Sequence, residues 1–380
     1  MENIRIEKVG SQKDLKKFIL FPWKVYKDDQ NWVPPLVMDF KEKLDKKKNP
    51  FFKHADMELF LAYKNNEVHG RIAAIINRRH NQFHQEKVIF FGHYESFNDV
   101  EVAHALLDQV AEFGKERGME IIRGPMNLSI NDECAFLLEG FDSPPVIMMP
   151  YNPPYYLELM EKCGLYKAID LYAFYMTKDH KTADKVQEIV EKIKKNTTVT
   201  LRIVNLKNLR EEVKKIKYIY NNAWEKNWGA VPWTDEEMEH IADRLKTLVD
   251  PNLVILAEDK GKPIGFAFGL PDYNELIKKM NGRLMPLGII KFFLHKKKIK
   301  GMRAIVFGVL KEYRNIGISY LLYSELEKNA QKRGYEWCET SWQLEDNDAI
   351  NNFTISIGGR VYKKYRIYEK KLNNTFYKNE

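Results

Sequence analysis

Cysteine is scarce in this chain of 380 residues: Cys134, Cys163 and Cys338 are widely separated and form no CxxC pair. That pattern argues against a disulfide framework and a cysteine-ligated zinc site, and for free thiols in a reducing compartment. Histidine patterns for metal are equally thin. No HExxH motif occurs, and His80 and His84, beside Arg78 and Arg79, have no carboxylate close by in the sequence. A solvated loop or strand end is the expected setting for that pair, and no metal is expected. No apolar run approaches the roughly 18 residues of a membrane span, and the first residues, MENIRIEKVGSQKDLKKF, hold no apolar core of a secretion signal. A cytoplasmic protein is expected. A strong excess of one charge is missing too: 61 Lys and Arg against 53 Asp and Glu leave +8. That bias favours a phosphorylated small ligand but is too diffuse for a nucleic-acid binder.

What is present is material for two domains, with 44% hydrophobic and 13% aromatic residues to fill their cores. The sequence also repeats itself. LFLAYKNNEVHGRIAAI near the start is matched by VILAEDKGKPIGFAFGL in the second half, with Ala62 to Gly70 spaced as Ala257 to Gly265. Each reads as strand, polar turn, strand. KERGMEII then matches QKRGYEWC, and YKAIDLY matches YKKYRIY, in the same order. Landmark spacings place about 20 extra residues at Tyr273–Lys300 in the second copy and about 20 at Gly124–Pro150 in the first.

Between the landmarks, periodicity sets the elements. Val100–Lys115 and Ile318–Arg333 each carry one apolar face, as helices packed on a sheet require, and Gly118 and Gly334 follow them where a left-handed residue ends a helix. The second copy reads strand Val199–Leu206, helix Leu209–Asn227, helix Thr234–Leu248, strands Leu253–Glu258 and Pro263–Gly269, and strand Arg303–Leu310. After the helix come strand Tyr335–Trp342, short helix Asn347–Ile357 and strand Val361–Lys370. The expected organisation is a first domain over 1–178, a helical linker over 179–198 and a second domain over 199–380.

One segment of the second copy has the makings of an anion site. In AIVFGVLKEYRNIGISYLLYSEL a strand enters a helix through YRNIGIS. Gly317 admits close backbone approach, the first-turn N–H groups point outward, and the helix dipole with Arg314 favours a pyrophosphate. An ordinary helix entry is the competing reading. Downstream stands NDAINNFTISIGGRVY, with Asn347, Ala349, Ile350, Phe353 and then Gly358 and Gly359.

In these two motifs, in this order, the chain resembles the GNAT superfamily of acyl-CoA N-acyltransferases. Its cofactor loop is Arg or Gln, two residues, Gly, one residue, Gly or Ala; Arg314, Gly317 and Ser319 match, Ser319 being a small departure. The resemblance covers about 170 residues. It implies an α/β (α+β) fold of two tandem units, each a mixed, mostly antiparallel sheet flanked by helices. It further implies that Asn315, Ile316, Gly317, Ile318 and Ser319 cradle the pyrophosphate of coenzyme A. Val309 and Leu310 would splay from the neighbouring strand to meet pantetheine. Asn347 would contact the pantetheine arm, cap the short helix, or both.

The implied reaction is transfer of an acetyl or longer acyl group from acyl-CoA to an amine on a small molecule or peptide, by direct attack. Many GNAT enzymes carry a tyrosine acid where this chain has Phe353, so Tyr320, Tyr323 and Tyr362 stand as substitutes or as packing aromatics. Glu339 is the candidate base, with Glu345 just beyond the same strand, and a solvated strand-end charge is the bland alternative. Glu339 and Tyr362 are the expected catalytic pair. The first copy lacks a glycine between Phe97 and Leu107 and is expected to have lost coenzyme binding. Its long loop, with Asn127, Ser129, Asn131, Asp132 and Glu133, either binds acceptor or packs. The insert of the second copy is apolar at Leu284, Met285, Leu287, Ile289, Ile290, Phe292, Phe293 and Leu294, then basic. Acyl-chain pocket, peripheral membrane contact and packing helix all remain open for it. A non-catalytic acyl-CoA or nucleotide sensor is the competing function.

Overall fold

The computed structural model describes residues 4–180, 184–223, 227–283 and 287–372. The first half of the chain runs β1 (Ile4–Lys8), α1 (Gln12–Leu20), α2 (Pro22–Val25), α3 (Val37–Lys43), β2 (Ala55–Lys64), β3 (Glu67–Asn77) and α4 (Arg78–His84). It continues β4 (Val88–Ser96), α5 (Val100–Lys115), β5 (Ile121–Gly124), β6 (Phe136–Glu139), α6 (Tyr155–Lys162) and β7 (Tyr166–Thr177). The second half begins α7 (Asp184–Asn196), β8 (Val199–Ile203), α8 (Leu209–Ala223), α9 (Asp235–Leu245), β9 (Val254–Asp259), β10 (Lys262–Pro271) and α10 (Asn274–Met280). It ends α11 (Leu287–His295), β11 (Gly301–Val309), α12 (Ile318–Arg333), β12 (Trp337–Leu344), α13 (Asp348–Ser356) and β13 (Arg360–Lys371).

These elements form two compact units, and neither is a single stretch of sequence. Unit 1 gathers Met1–Leu171, Ile277–Met285 and Lys364–Glu380; unit 2 gathers Tyr172–Leu276 and Pro286–Lys363. The last strand therefore begins in unit 2 and finishes in unit 1, where it pairs antiparallel with β5 (Tyr368 opposite Gly124) and with β6 (Tyr365 opposite Leu137). A boundary at 178 and 199 describes the duplication in the sequence; the compact units cut β7 and β13 instead.

In unit 1 the strand order is β1-β2-β3-β4-β5-β13, with β6 also on β13. All described pairs are antiparallel except β4 with β5. In unit 2 the order is β7-β12-β11-β10-β9-β8. There β8, β9, β10 and β11 run antiparallel and β11 runs parallel to β12. Each unit is thus a mixed, mostly antiparallel sheet flanked by helices.

The repeated glycines have one physical cause. A Cβ at Gly70 would lie 2.7 Å from Leu106 Cδ1 of α5, and one at Gly265 would lie 3.2 Å from Leu322 Cδ1 of α12. Each long helix thus crosses its sheet over a glycine, where an added Cβ would press on a leucine of the helix; at Gly265 the Gly308 carbonyl oxygen, at 3.0 Å, is nearer still. Helix α5 starts because Asp99 accepts hydrogen bonds from the N–H groups of Glu101 and Val102. It buries Val102, Ala103, Leu106, Leu107 and Val110 against Ile72, Ala74, Ile89 and Phe91. Each Val, Leu, Ile or Phe side chain among them contributes on the order of 2 kcal/mol. Helix α12 buries Ile318, Leu321, Leu322 and Leu326 on Ile255, Ala257 and Ala267, and ends at Gly334 with φ 83°.

Candidate active site

The middle of unit 2's sheet opens. Strand β11 pairs with β12 only from Gly301 opposite Trp337 to Ala304 opposite Thr340. On its other edge β11 stays with β10 up to Val309, and the register there skips Ile305. An extra residue of this kind bends a strand and increases its twist. The two parallel strands accordingly part past Ala304. Residues Ala304–Phe307 are only half-buried although β11 lies inside the sheet.

Beyond the opening, Lys311–Ile316 makes a short 3-10 turn and Gly317, at φ 80°, starts α12 without any side-chain cap. Ile318 is buried in the core, Ser319 is half-buried, and Asn315 and Ile316 are exposed. The N–H groups of this first turn are those that an anion would meet. Arg314 bends back: its Nε donates to the Val309 carbonyl (3.0 Å) and its Nη2 to that of Ala223 (2.6 Å). The Leu310 N–H donates to Ile264 (2.8 Å) and the Leu310 carbonyl accepts from Tyr313 (2.9 Å). The backbone expected at Val309 and Leu310 to meet a ligand is therefore partly engaged, and the stretch parted from β12 starts at Ile305. The space beside Gly317 is also taken, since a Cβ there would lie 2.3 Å from Ile193 Cδ1 of α7. The left-handed φ favours glycine here, and a Cβ would also have to displace the end of the Ile193 side chain.

Glu339 and Tyr362 are brought together. The Tyr362 hydroxyl donates to Glu339 Oε2, and the Ser341 hydroxyl donates to Oε1. Glu339 is fully buried, so it is no solvated strand-end charge. Period-2 alternation puts Glu339 and Ser341 on one face of β12, and Arg303 lies directly opposite Glu339 on β11. Arg303 Nε donates to Ser341 Oγ (2.9 Å) and its Nη2 to the Ser341 carbonyl (3.1 Å). Lys363 is also fully buried, its ammonium 5.5 Å from the centre of the Tyr362 ring. Burial raises the Glu339 carboxyl above its ordinary value, and Arg303, the Ser341 hydrogen bond and Lys363 pull it back. Glu339 stands one residue before β11 and β12 separate, at the closed end of the opening. Arg303, Ser341 and Lys363 escaped the sequence reading; their signal was polar residues at alternating places in apolar strands.

The other side of the opening is aromatic. Phe353 of α13 stacks on Phe307 of β11 (5.4 Å between centroids) and meets Tyr320 at 5.0 Å. The Tyr320 hydroxyl is 3.3 Å from Ser356 Oγ. Tyr323 donates to Glu327 (2.9 Å) and lies 2.7 Å from His180 Nε2. Both phenols are already partnered. Asn347 caps α13, its side chain accepting from the Ile350 N–H at 3.5 Å. Glu345 falls beyond β12, and its carbonyl accepts from Asn351 at 3.4 Å.

Unit 1 repeats the opening and fills it. Strands β4 and β5 pair from Val88 opposite Ile121 to Phe90 opposite Arg123, and β4 then bulges at His93, φ 47°. The loop after β5 takes the vacated edge: Met126 N–H donates to the Phe91 carbonyl (2.8 Å), and Asn127 Oδ1 accepts from the His93 N–H (2.7 Å). A Cβ at Gly92 would lie 1.9 Å from the Met126 carbonyl oxygen, so the contact is tight. This loop is not wholly irregular, since it contains β6. Lys43 lies 3.6 Å from Asp132 and 3.9 Å from Glu133. Nearby, Glu95 accepts from Tyr26 (2.8 Å) and Tyr156 (2.7 Å) and faces Arg71 at 3.5 Å, a buried network that the sequence reading missed.

His80 and His84 sit on helix α4, not on a loop or strand end. His80 is buried, with Nε2 3.1 Å from Glu86, and Arg123 holds the same carboxylate at 2.8 Å. A carboxylate six residues on was thus close after all. Among the described residues no group of side chains could hold a metal ion, and no helix is long and apolar enough to cross a membrane. Of the insert, residues 284–286, with Leu284 and Met285 among them, lie outside the described residues; the described part includes α10, α11 and a short turn.

Comparison with known proteins follows the same division. A model described as Acetyltransferase (GNAT) family matches residues 213–354. Protein YghO of Escherichia coli (strain K12) is 36% identical over 95% of this chain and 94% of its own. Bacterial ceramide synthase of Caulobacter vibrioides (strain NA1000 / CB15N) is 34% identical over 96% of both chains. A tandem GNAT protein from the clavulanic acid biosynthesis pathway superposes with a TM-score of 0.59 at 10% identity, covering 98% of this chain and 99% of that one. A GCN5-related N-acetyltransferase from Sphaerobacter thermophilus gives 0.55 at 15% identity, covering 97% and 96%. At such identities the two structures speak for the fold alone.

Proposed function

Since the chain belongs to the GNAT superfamily, with two units in tandem, we propose that unit 2 transfers an acyl group from acyl-CoA to an amine. The observation that carries this reading is the parting of β11 and β12 past Ala304, followed by a helix entered at Gly317 with no side-chain cap. The half-buried stretch from Ile305 would meet the pantetheine arm, and the first turn of α12 the pyrophosphate. Asn315, Ile316, Gly317, Ile318 and Ser319 are the phosphate cradle in this proposal, and Asn347 serves chiefly as the cap of α13.

Attack by a neutral amine on the thioester carbonyl forms the C–N bond, breaks the C–S bond and leaves one proton to be removed. We assign that proton to Tyr362 and Glu339 acting as one path. Glu339 is too deeply buried to touch an acceptor, but the half-buried Tyr362 hydroxyl donates to it. Phe353 cannot protonate the departing thiolate, so that proton comes from another source. The likeness to a protein named as a ceramide synthase narrows the acceptor class. A ceramide is an N-acylated long-chain amino alcohol, so a long-chain amine is the acceptor we favour.

The test is direct. Purified protein is incubated with acyl-CoAs of graded length and a panel of amines, long-chain amino alcohols included, and amide is sought by mass spectrometry. Amide formed by wild type and lost in Tyr362→Phe supports the path. Tight acyl-CoA binding with no amide from any amine replaces this reading with the sensor, which the buried Glu339 and the phenyl ring at 353 favour.

A further inference from the structure

Helix α11 presents an apolar ridge outward. Ile290 is 57% exposed and Leu294 67%, and as an i, i+4 pair they share one face of the helix. The helix is seated elsewhere: Gly288 is buried, and Phe292 lies 5.1 Å from the ring of Tyr273. Tyr273 is itself tied by its hydroxyl to the Leu248 carbonyl at 2.7 Å. Charge adjoins the ridge. From Lys291 to Lys300 the chain carries five lysines and no Asp or Glu. Lys298 is exposed one turn beyond Leu294, whereas Lys300 pairs with Glu336 at 3.0 Å.

We propose that α11, with the exposed Lys298 that follows it, docks unit 2 on an anionic lipid surface. Ile290 and Leu294 enter the boundary between headgroups and acyl chains, and Lys298 faces a headgroup phosphate. An exposed apolar face flanked by one-signed positive charge is the pattern of a helix lying in a membrane interface. Either feature alone is weaker: two leucine-sized side chains give marginal insertion, and a few lysines are screened by salt. Their adjacency makes the surface selective for anionic over neutral lipid. Contact of this kind needs no membrane-crossing helix, and none is found among the described residues. The proposal goes beyond the acyl-transfer reading and does not depend on it.

Vesicle sedimentation tests it, with phosphatidylcholine alone and phosphatidylcholine mixed with phosphatidylglycerol. Wild type is expected to sediment with the mixed vesicles, to do so less as salt rises, and to ignore the neutral ones. Ile290→Ser with Leu294→Ser should weaken binding roughly tenfold or more. Lys298→Ala should weaken it ~5-fold. Both changes lie on the surface, so unfolding temperatures matching wild type show that the fold is intact. Acyl-CoA affinity by calorimetry should be unchanged in both, which separates failure here from failure of the transferase reading. Equal sedimentation of wild type and the double variant overturns the proposal, as does wild type that ignores anionic vesicles. Self-association of wild type that the double variant abolishes, seen by analytical ultracentrifugation, would give the ridge to a second copy of the chain and equally overturn it.

Discussion

Two glycines of unit 2 offer a controlled comparison. Gly317 and Gly334 bracket α12 at nearly the same left-handed φ, 80° and 83°, but their surroundings differ. A Cβ at Gly334 meets nothing within 4 Å, whereas one at Gly317 would lie 2.3 Å from Ile193 Cδ1. Gly334→Ala therefore carries only the backbone term, about 1–2 kcal/mol for a non-glycine residue in that region. Gly317→Ala carries the same term plus the cost of turning the end of the Ile193 side chain aside, about 0.5–1.5 kcal/mol for an off-rotamer torsion. The expected excess of Gly317→Ala over Gly334→Ala is thus about 0.5–1.5 kcal/mol, at ~2–4 °C of melting temperature per kcal/mol for a unit of this size. Adding Ile193→Ala should relieve the clash, so the double variant loses less stability than the two single changes together. Acyl-CoA calorimetry supplies a second arm, in which Gly334→Ala binds as wild type and Gly317→Ala binds at least tenfold more weakly. Equal unfolding of the two alanine variants, or strict additivity with Ile193→Ala, would refute the packing argument. Unchanged acyl-CoA affinity in a folded Gly317→Ala protein would refute the placement of the phosphate cradle.

Two further expectations concern charge and stoichiometry. Because burial raises the Glu339 carboxyl above its ordinary 4.5, its contribution to stability is complete below that value and fades as pH rises through the folded-state value. Wild type should lose stability relative to Glu339→Gln over that window in urea titrations, and amide formation should rise with pH there in wild type alone; parallel pH profiles for the two proteins would remove Glu339 from the proton path. Since the chain's own loop occupies the opening in unit 1, calorimetry should count one acyl-CoA per chain, and a count of two would mean that Met126 and Asn127 yield to ligand.

The features legible in the sequence were those set by local repetition. Helices α5 and α12 came out at Val100–Lys115 and Ile318–Arg333 because an apolar stripe and a terminal glycine are both read within a few turns. Gly70 and Gly265 could be aligned without knowing why glycine stood there; the reason, a helix crossing above, is a tertiary fact. The Gly317 turn was visible as a motif, but its contact with Ile193 was not, since the two are far apart in sequence. Arg71 and Glu95 were hidden for a related reason. Each sits in a run of strand residues, and their pairing across β3 and β4 shows only once register is known. His80 is bonded to Glu86, six residues on, but Arg123, which holds that carboxylate, comes from a distant strand, and the loop after β5 hid a strand because β6 pairs with the far end of the chain.

The two openings meet one physical demand in different ways. A pair of parallel strands that part within a sheet exposes backbone N–H and C=O groups, and buried ones must find partners. Unit 1 meets that demand internally: the Met126 amide and the Asn127 side chain bond to β4 at Phe91 and His93, and Gly92 lets them approach. In unit 2 the stretch from Ile305 is left half-buried beside aromatic rings, and a fully buried carboxylate sits at the closed end among two buried cations and two hydroxyls. A buried ion cluster is weak ground for stability, because desolvation offsets most of the attraction. Were Glu339, Arg303 and Lys363 structural only, apolar residues of similar volume would hold that part of the sheet at least as well. That the cluster sits at the point where the strands separate is the physical argument for the proposal that it serves proton chemistry.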